Sequence, residues 1–291
     1  MTLDLRDRVL LVGATGSVGS MIFKCWEDRG ENFELVPQVR STKGLLNEVV
    51  WDPFEGSDNL ARDISKHRTI KTMVILAGIT PGSEKPLSLN SEIVEACLFA
   101  AFKVGIKRIL VASSSAVYGI NDGTPFRENS KTVPQNAYGK AKLKMETICH
   151  QWAQKGLNVC CLRIGNVAGA DALMKNFETK KLNSPLKIDI FQDGKGPLRS
   201  YIGPFTMYKV LKKLSLSNNA LPRILNLAAP IPMRMEDIAN AAGHEWIARS
   251  CLDSGIQRIT LDCSLISKLY KFTKKDSSPE EIIRQWEEQT R

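Results

Sequence analysis

Gly13, Gly16 and Gly19 stand at even spacing between an apolar run and a helical pattern. The run Arg8-Val-Leu-Leu-Val12 reads as a buried parallel strand. Ser17 to Asp28 reads as a helix that closes near Gly30. A strand that passes through such a turn directly into a helix leaves few folds open. Gly13 permits the tight turn, Gly16 lets the backbone approach a pyrophosphate, and Gly19 lets the helix pack against the strand. The helix start, with Thr15, Ser17 and Val18 around it, offers unpaired N–H groups and the positive end of a dipole. The turn is therefore expected to bind a dinucleotide.

The rest of the first half continues the alternation. Phe33 to Val39, Asn47 to Trp51 (stopped by Asp52-Pro53), Thr72 to Ala77 (closed by Gly78), Arg108 to Ala112 and Asn158 to Arg163 read as strands. Leu89 to Val104, apolar almost all round, and Ala137 to Gln154 read as helices ended by Gly105 and Gly156. This pattern predicts an α/β fold, a doubly wound parallel sheet of Rossmann type with right-handed crossovers. After Gly165 the rhythm weakens, and Pro185, Pro197, Pro204, Pro222, Pro230 and Pro232 divide the chain into short pieces. The expected division is a dinucleotide-binding domain over 1–166 with a returning segment at about 203–229, and a small C-terminal substrate lobe from 167–202 and 230–291. One strand, Ile224 to Ala228, should return to the main sheet, and Ser278 to Glu288 should be a terminal helix with Pro279 in its first turn.

Composition excludes several classes. No apolar run approaches the ~20 residues of a membrane span, and Met1 to Arg8 lacks a signal-like apolar core. A soluble, cytoplasmic protein is expected. Seven cysteines in 291 residues do not make a disulfide framework. Cys160 and Cys161, neighbours in a strand, should point to opposite faces as small core residues. Forty basic residues against 31 acidic ones give +9. The densest pairs, Lys180-Lys181, Lys212-Lys213 and Lys274-Lys275, lie far apart. A basic surface that attracts an anionic cofactor and substrate fits better than a nucleic-acid site. His67, His150 and His244 lack metal-ligand spacing, so no metal is expected.

Two further features carry chemistry. Tyr138 and Lys142 lie four residues apart on a helix and so share a face. A cation beside a phenol favours phenolate, so Lys142 should lower the Tyr138 pKa and make it a proton donor or acceptor for hydride transfer. The segment Pro37-Gln-Val-Arg40-Ser41-Thr-Lys43 has no acid where the second strand ends. An acid there binds ribose hydroxyls, whereas an arginine accepts a 2′-phosphate. Arg40 with Ser41 and Lys43 leans toward NADP over NAD.

With these residues in place, the chain resembles the extended short-chain dehydrogenase/reductase superfamily, and within it the NAD(P)-dependent epimerase/dehydratase family of nucleotide-sugar enzymes. The resemblance is carried by Gly13, Gly16 and Gly19, by Ser113-Ser-Ser-Ala-Val-Tyr-Gly119, by Tyr138-Gly-Lys-Ala-Lys142, by Asn90 ahead of Gly105-Ile-Lys-Arg108, and by Arg163 with Asn166. It implies that Ser114 polarises a substrate oxygen, Tyr138 exchanges the proton, Lys142 also holds the nicotinamide ribose, and Asn90 supports a water relay. It places Asp52 at the adenine, Ala77-Gly78 under the cofactor and Ile164 in the same cofactor-binding set. Ser115, Asn166 and Arg199 become candidates for substrate binding, Arg199 for a phosphate. Lys140 faces away and should be solvated.

The chain also departs from that pattern. Ser115-Ala116 stands where dehydratases carry an acidic pair, and Arg199-Ser200-Tyr201 lacks the acid that often follows the arginine. The resemblance implies an NAD(P)-dependent oxidoreductase or epimerase acting at a carbinol or ketone carbon of a nucleotide-sugar-like, anionic substrate. The alternatives are an NADPH-dependent ketoreductase of a non-sugar carbonyl compound and a non-catalytic NADP-sensing regulator on the same fold. It also implies a possible homodimer through helices 89–104 and 137–154, with no nucleic-acid or membrane partner.

Overall fold

The structure, a computed structural model, describes residues 7–27, 33–66, 70–120, 122–178, 186–251 and 256–290. The helix end at Asp28 and Gly30, His67 and the Lys180-Lys181 pair lie outside the described residues. The first half runs β1 (Asp7–Val12), α1 (Ser17–Glu27), β2 (Phe33–Val39), β3 (Val49–Val50), α2 (Asp58–Lys66), β4 (Ile70–Ile75), α3 (Leu89–Val104), β5 (Arg108–Ser114), α4 (Ala137–Gln154) and β6 (Asn158–Ile164). The second half runs β7 (Asn166–Val167), α5 (Ala172–Glu178), β8 (Leu186–Ile190), β9 (Leu198–Arg199), β10 (Tyr201–Ile202), α6 (Pro204–Ser215), β11 (Ile224–Leu227), β12 (Met233–Arg234), α7 (Met235–Ala241), β13 (Trp246–Ser250), β14 (Arg258–Ile259), α8 (Ser264–Leu269) and α9 (Pro279–Thr290).

Seven strands form one parallel sheet in the order β11-β6-β5-β4-β1-β2-β3. Side chains alternate across it. On β1, Val9 and Leu11 join the core on the α1 and α6 face, while Leu10 and Val12 join the core on the α3 and α4 face. Cys160 and Cys161 divide between the same two cores, so the adjacent cysteines do point apart. Burying both faces is what makes these strands apolar throughout. A third core, built on Met174, Tyr201, Ile238 and Ile282, belongs to the second half. The order reverses between β1 and β4, and ligands of such sheets bind in the crevice beyond the strand ends at that point.

Two elements differ from the sequence reading. The strand expected over 47–51 shrinks to two residues, because Asn47 adopts φ 55° and Glu48 turns back to cap the preceding loop. Pro204, taken as a breaker, occupies the first turn of α6, where a missing N–H costs nothing. The helix it starts packs on α1. The returning strand appears as β11, paired in parallel with β6, and α9 starts at Pro279. Among the described residues no helix is long and apolar enough to cross a membrane.

Candidate active site

The glycine turn has the geometry its spacing demands. Gly13 adopts φ 87°, and a Cβ there would meet the Ala77 nitrogen at 2.6 Å. A Cβ on Gly19 would overlap the Gly13 carbonyl, so the start of α1 can close onto β1 only with glycine at both positions. Thr15, Gly16 and Ser17 remain exposed at the start of α1, where the first N–H groups of a helix have no partner within it. A pyrophosphate fits these residues, because the bare backbone and the open helix end are what it requires.

Gln38, a buried polar residue near the end of β2, was missed by the sequence reading. Its Oε1 accepts from the Gly13 N–H at 3.1 Å, and its Nε2 donates to the Trp51 carbonyl. One amide thereby joins the ends of β1, β2 and β3, with Asp52 the next residue after Trp51. Asp52 accepts from the Phe54 N–H at 3.0 Å, capping a short 3-10 turn. Arg40 and Ser41 are exposed beyond β2. Glu48 shapes the loop behind them, accepting from the N–H groups of Lys43 and Leu45 and from Thr42. The Thr42 bond is the largest influence holding the Glu48 carboxyl below its ordinary pKa. Among the described residues Arg40 meets no carboxylate.

At the centre of the sheet edge, Ser114, Tyr138 and Lys142 come together. Ser114 ends β5, and its Oγ accepts from the Ala116 N–H at 3.2 Å, starting the turn Ser115–Val117. Asn136 caps α4, its Oδ1 accepting from Gly139 N–H at 2.8 Å, which places Tyr138 in the first turn. Ser114 is the side chain that acts on the Tyr138 hydroxyl, drawing its pKa down against burial. Lys142 is buried, its Nζ donating to the Ala112 carbonyl at 2.9 Å and lying 5.8 Å from the centre of the Tyr138 ring.

This geometry corrects the expected electrostatics. Burial pushes the Tyr138 pKa up, and the Ser114 hydrogen bond alone pulls it down. Lys142 does not act on it here, because its ammonium is turned to the Ala112 carbonyl and the face of the ring. Burial lowers the lysine itself to about 8, against the pull of Cys149, Cys161 and Glu146.

Asn90 is buried beside this group. Its Nδ2 donates to the carbonyls of Ile79 (2.9 Å) and Leu87 (3.0 Å), and its Oδ1 accepts from the Ile79 N–H at 3.1 Å. The amide is thus spent on shaping the loop after β4. A Cβ on Gly78 would meet Asn90 Oδ1 at 2.7 Å and Lys142 Nζ at 3.3 Å, so loop, asparagine and lysine are mutually close. Ala77 follows Val12 across the strand ends, its N–H donating to the Val12 carbonyl at 3.1 Å. Ile164 is the last residue of β6, at the same edge.

The substrate candidates divide. Ser115 lies in the turn after Ser114, and Asn166 on β7 stands beside Tyr201, whose pKa it draws down. Arg163, at the end of the sixth strand as read from the sequence, lies inside β6 and is buried, paired with Glu146. Arg199 donates to the carbonyls of Leu198 and Gln257 (both 2.9 Å) and of Ile256 (2.7 Å). It therefore ties down the segment at 256–257. Asp193 accepts from Gln257 and from the Lys195 N–H beside this segment. Among the described residues no group of three His, Cys, Asp or Glu could hold a metal ion.

Known proteins resemble this chain in sequence and in fold. The UDP-glucose 4-epimerase of Azospirillum brasilense is 32% identical over 174 residues, covering 56% of this chain and 50% of that one. The UDP-glucose 4-epimerase of Streptococcus mutans is 44% identical over 180 residues, covering 56% and 52%. The chain thus spans about half the length of the curated relatives it matches. Among solved structures, the UDP-glucuronic acid 4-epimerase of Bacillus cereus, with UDP-glucuronic acid and NAD, superposes with a TM-score of 0.77 at 16% identity, covering 97% of this chain and 99% of that one. The UDP-N-acetylglucosamine 4-epimerase of the same organism gives 0.76 at 19% identity, covering 96% and 99%. These likenesses show that the fold is shared over almost the whole length of those structures. Residues 9–196 match the NAD dependent epimerase/dehydratase family, to which this chain belongs.

Proposed function

We propose that this protein is a nicotinamide-dependent oxidoreductase of the epimerase type, acting by hydride transfer at a carbinol carbon of a nucleotide sugar. The observation that carries the reading is the meeting of Ser114, Tyr138 and Lys142 at the carboxyl edge of the sheet, beside the glycine turn. The turn at 13–19 would hold the pyrophosphate, Asp52 the adenosine end, and Lys142 the nicotinamide ribose. When bound, the cofactor supplies a reversible hydride acceptor. Ser114 fixes and polarises the reacting oxygen, and Tyr138 takes or returns its proton. The relatives named UDP-glucose 4-epimerase support the substrate class. Incubation with UDP-glucose and a trace of cofactor should yield UDP-galactose with no net change in cofactor redox state.

A second reading is a reductase that consumes NADPH. It is favoured by Arg40 and Ser41, exposed beyond β2 where a 2′-phosphate would lie, and by the neutral amide of Gln38 at the strand end. Stoichiometric oxidation of NADPH with a carbonyl substrate, and no epimerisation, would select it.

We also propose that the chain pairs with a second copy of itself through α3 and α4. Phe99 and Phe102 are 42% and 43% exposed on the outer face, packed against Trp152. Glu92 and Glu95 on α3 and Lys140 and Lys144 on α4 make the face self-complementary in charge. Light scattering on the purified protein gives the mass directly, and a monomer at assay concentration rules the pairing out. The location expected for such an enzyme is the cytoplasm.

A further inference from the structure

A buried clasp stands directly behind the candidate catalytic group. Glu146, one turn beyond Lys142, shares the helix face that carries Tyr138 and Lys142. Its Oε1 accepts from Ser113 Oγ at 2.6 Å and from Arg163 Nε at 3.0 Å, and its Oε2 accepts from Arg163 Nη2 at 2.8 Å. Glu146, Ser113 and Arg163 are 6%, 4% and 5% exposed. The guanidinium is held in turn by the Glu128 carbonyl at 3.1 Å and by the Tyr118 ring, whose centre lies 4.7 Å from Cζ. Tyr118 donates to Asn226 Oδ1 at 2.6 Å.

We infer that Glu146 is a positioning residue of the reaction: with one carboxylate from α4 it holds Ser113 on β5 and Arg163 on β6, and so sets where Tyr138 stands relative to Ser114. The inference uses the proposed role of Tyr138, but its first test does not need a substrate. Besides the contact of Ser114 with Tyr138, two polar ties join the active face of α4 to β5. One is Lys142 to the Ala112 carbonyl, made by a group that the reaction itself employs. The other is Glu146 to Ser113, made by two buried groups that have no part in the proposed chemistry. Ser113 precedes Ser114, so the second tie fixes the strand end within one residue of the hydroxyl that bonds Tyr138. A carboxylate held by a bidentate guanidinium has its direction fixed, which a solvated glutamate does not. Burial opposes the Arg163 charge, yet the Glu146 hydrogen bonds outweigh it and hold the guanidinium above its ordinary pKa.

The ionisable groups around Lys142 and the clasp are Tyr138, Glu146 and Cys149 on α4, Cys161 and Arg163 on β6, and Tyr118 and Glu128 in the connection between β5 and α4. At this end of β5 stand only serines and alanine. The Ser114 hydrogen bond is the one influence that draws Tyr138 down against burial. A loosened strand end should therefore move the Tyr138 titration to higher pH.

The test is Ser113→Ala, which removes one limb of the clasp and leaves the buried ion pair intact. Phenolate absorbance in the cofactor-free protein, taken as the difference from a Tyr138→Phe background, should show the Tyr138 midpoint displaced upward. Turnover with UDP-glucose should fall about 10- to 100-fold, the scale of a small misplacement of reacting groups, with KM nearly unchanged. Ser113→Thr, which retains the hydroxyl, should restore both. Glu146→Gln, which keeps an acceptor for Ser113 but loses the charge, should fall between the two. A Ser113→Ala protein that melts lower but keeps the Tyr138 midpoint would show an ordinary structural bond and overturn the inference. Loss of turnover in every variant together with wild type would refute the substrate instead, and the phenolate midpoint would still decide the role of the clasp.

Discussion

Gly139 lies against the carbonyl oxygen of Ala116 so closely that a methyl group at 139 would overlap it. The first turn of α4 and the turn after Ser114 are therefore in backbone contact, and that contact delivers Tyr138 to Ser114. Pro134 closes the other side, its Cβ at 2.9 Å from where the methyl would stand. Gly139→Ala should push the start of α4 outward while Asn136 still caps it. Turnover should drop by at least about tenfold through misplacement of Tyr138, with dinucleotide affinity little changed. Parallel measurement of kcat and cofactor Kd checks this, and unchanged turnover would show that the contact is not needed.

Tyr138→Phe removes the hydroxyl and keeps the ring that Lys142 covers. Binding of the dinucleotide should persist while turnover falls by ~10²–10⁴, the range for loss of a general acid/base. Near-wild-type activity would remove Tyr138 from the mechanism.

Arg40→Ala addresses the cofactor. Only NADP carries a 2′-phosphate, so the substitution should weaken NADP(H) and leave NAD(H) nearly unaffected. The contact is an exposed charged hydrogen bond, so roughly a tenfold loss is expected. Fluorescence titration with both cofactors tests it, and equal losses would place Arg40 outside the ribose pocket.

Asp171 gives a pH-dependent stability. Burial pushes its pKa up to about 6, against hydrogen bonds from the N–H groups of Leu173 and Met174 at the start of α5. Its Oδ2 is buried and has no partner. A carboxyl whose folded pKa is raised contributes fully below its unfolded value near 4, and that contribution is lost as pH rises through the folded value. Asp171→Asn can still accept from Leu173 but carries no charge. At pH 8 it should be more stable than wild type by up to about 3 kcal/mol, the gap closing as pH falls to 5. Denaturant melts at the two pH values provide the comparison. A gap that does not change with pH would mean that the charge is not the cause.

The sheet and its cofactor turn could be read from the sequence because local rules govern them. Glycines at 13, 16 and 19 have one backbone solution between a strand and a helix, and strands buried on both faces are apolar throughout. Tyr138 and Lys142 were legible for the same reason, since helical spacing places them together. Glu146 extends that spacing by one more turn, and its position was therefore within reach of the sequence. Its partners were not, because Ser113 and Arg163 meet it only through the pairing of β5 with β6. Gln38 could have been noticed as a polar residue in an apolar strand, although its two bonds join segments distant in sequence. Arg199 shows the reverse case. Its motif suggested a phosphate, while the nearby carbonyls of Ile256 and Gln257 belong to a part of the chain that no local pattern brings to it.

The outermost strand of the sheet has a consequence for how much of this chain can stand alone. β11 covers the hydrogen-bonding edge of β6, with Ile224 to Leu227 pairing against Cys161 to Ile164. The region that defines the family ends at residue 196, before that strand is reached. A truncated protein cut there would carry the glycine turn, Ser114, Tyr138 and Lys142, yet would leave β6 as a bare apolar edge of the kind that recruits other chains. The minimal expressible unit therefore extends past Leu227, and a nascent chain leaving the ribosome must keep that edge unpaired until some sixty further residues have emerged.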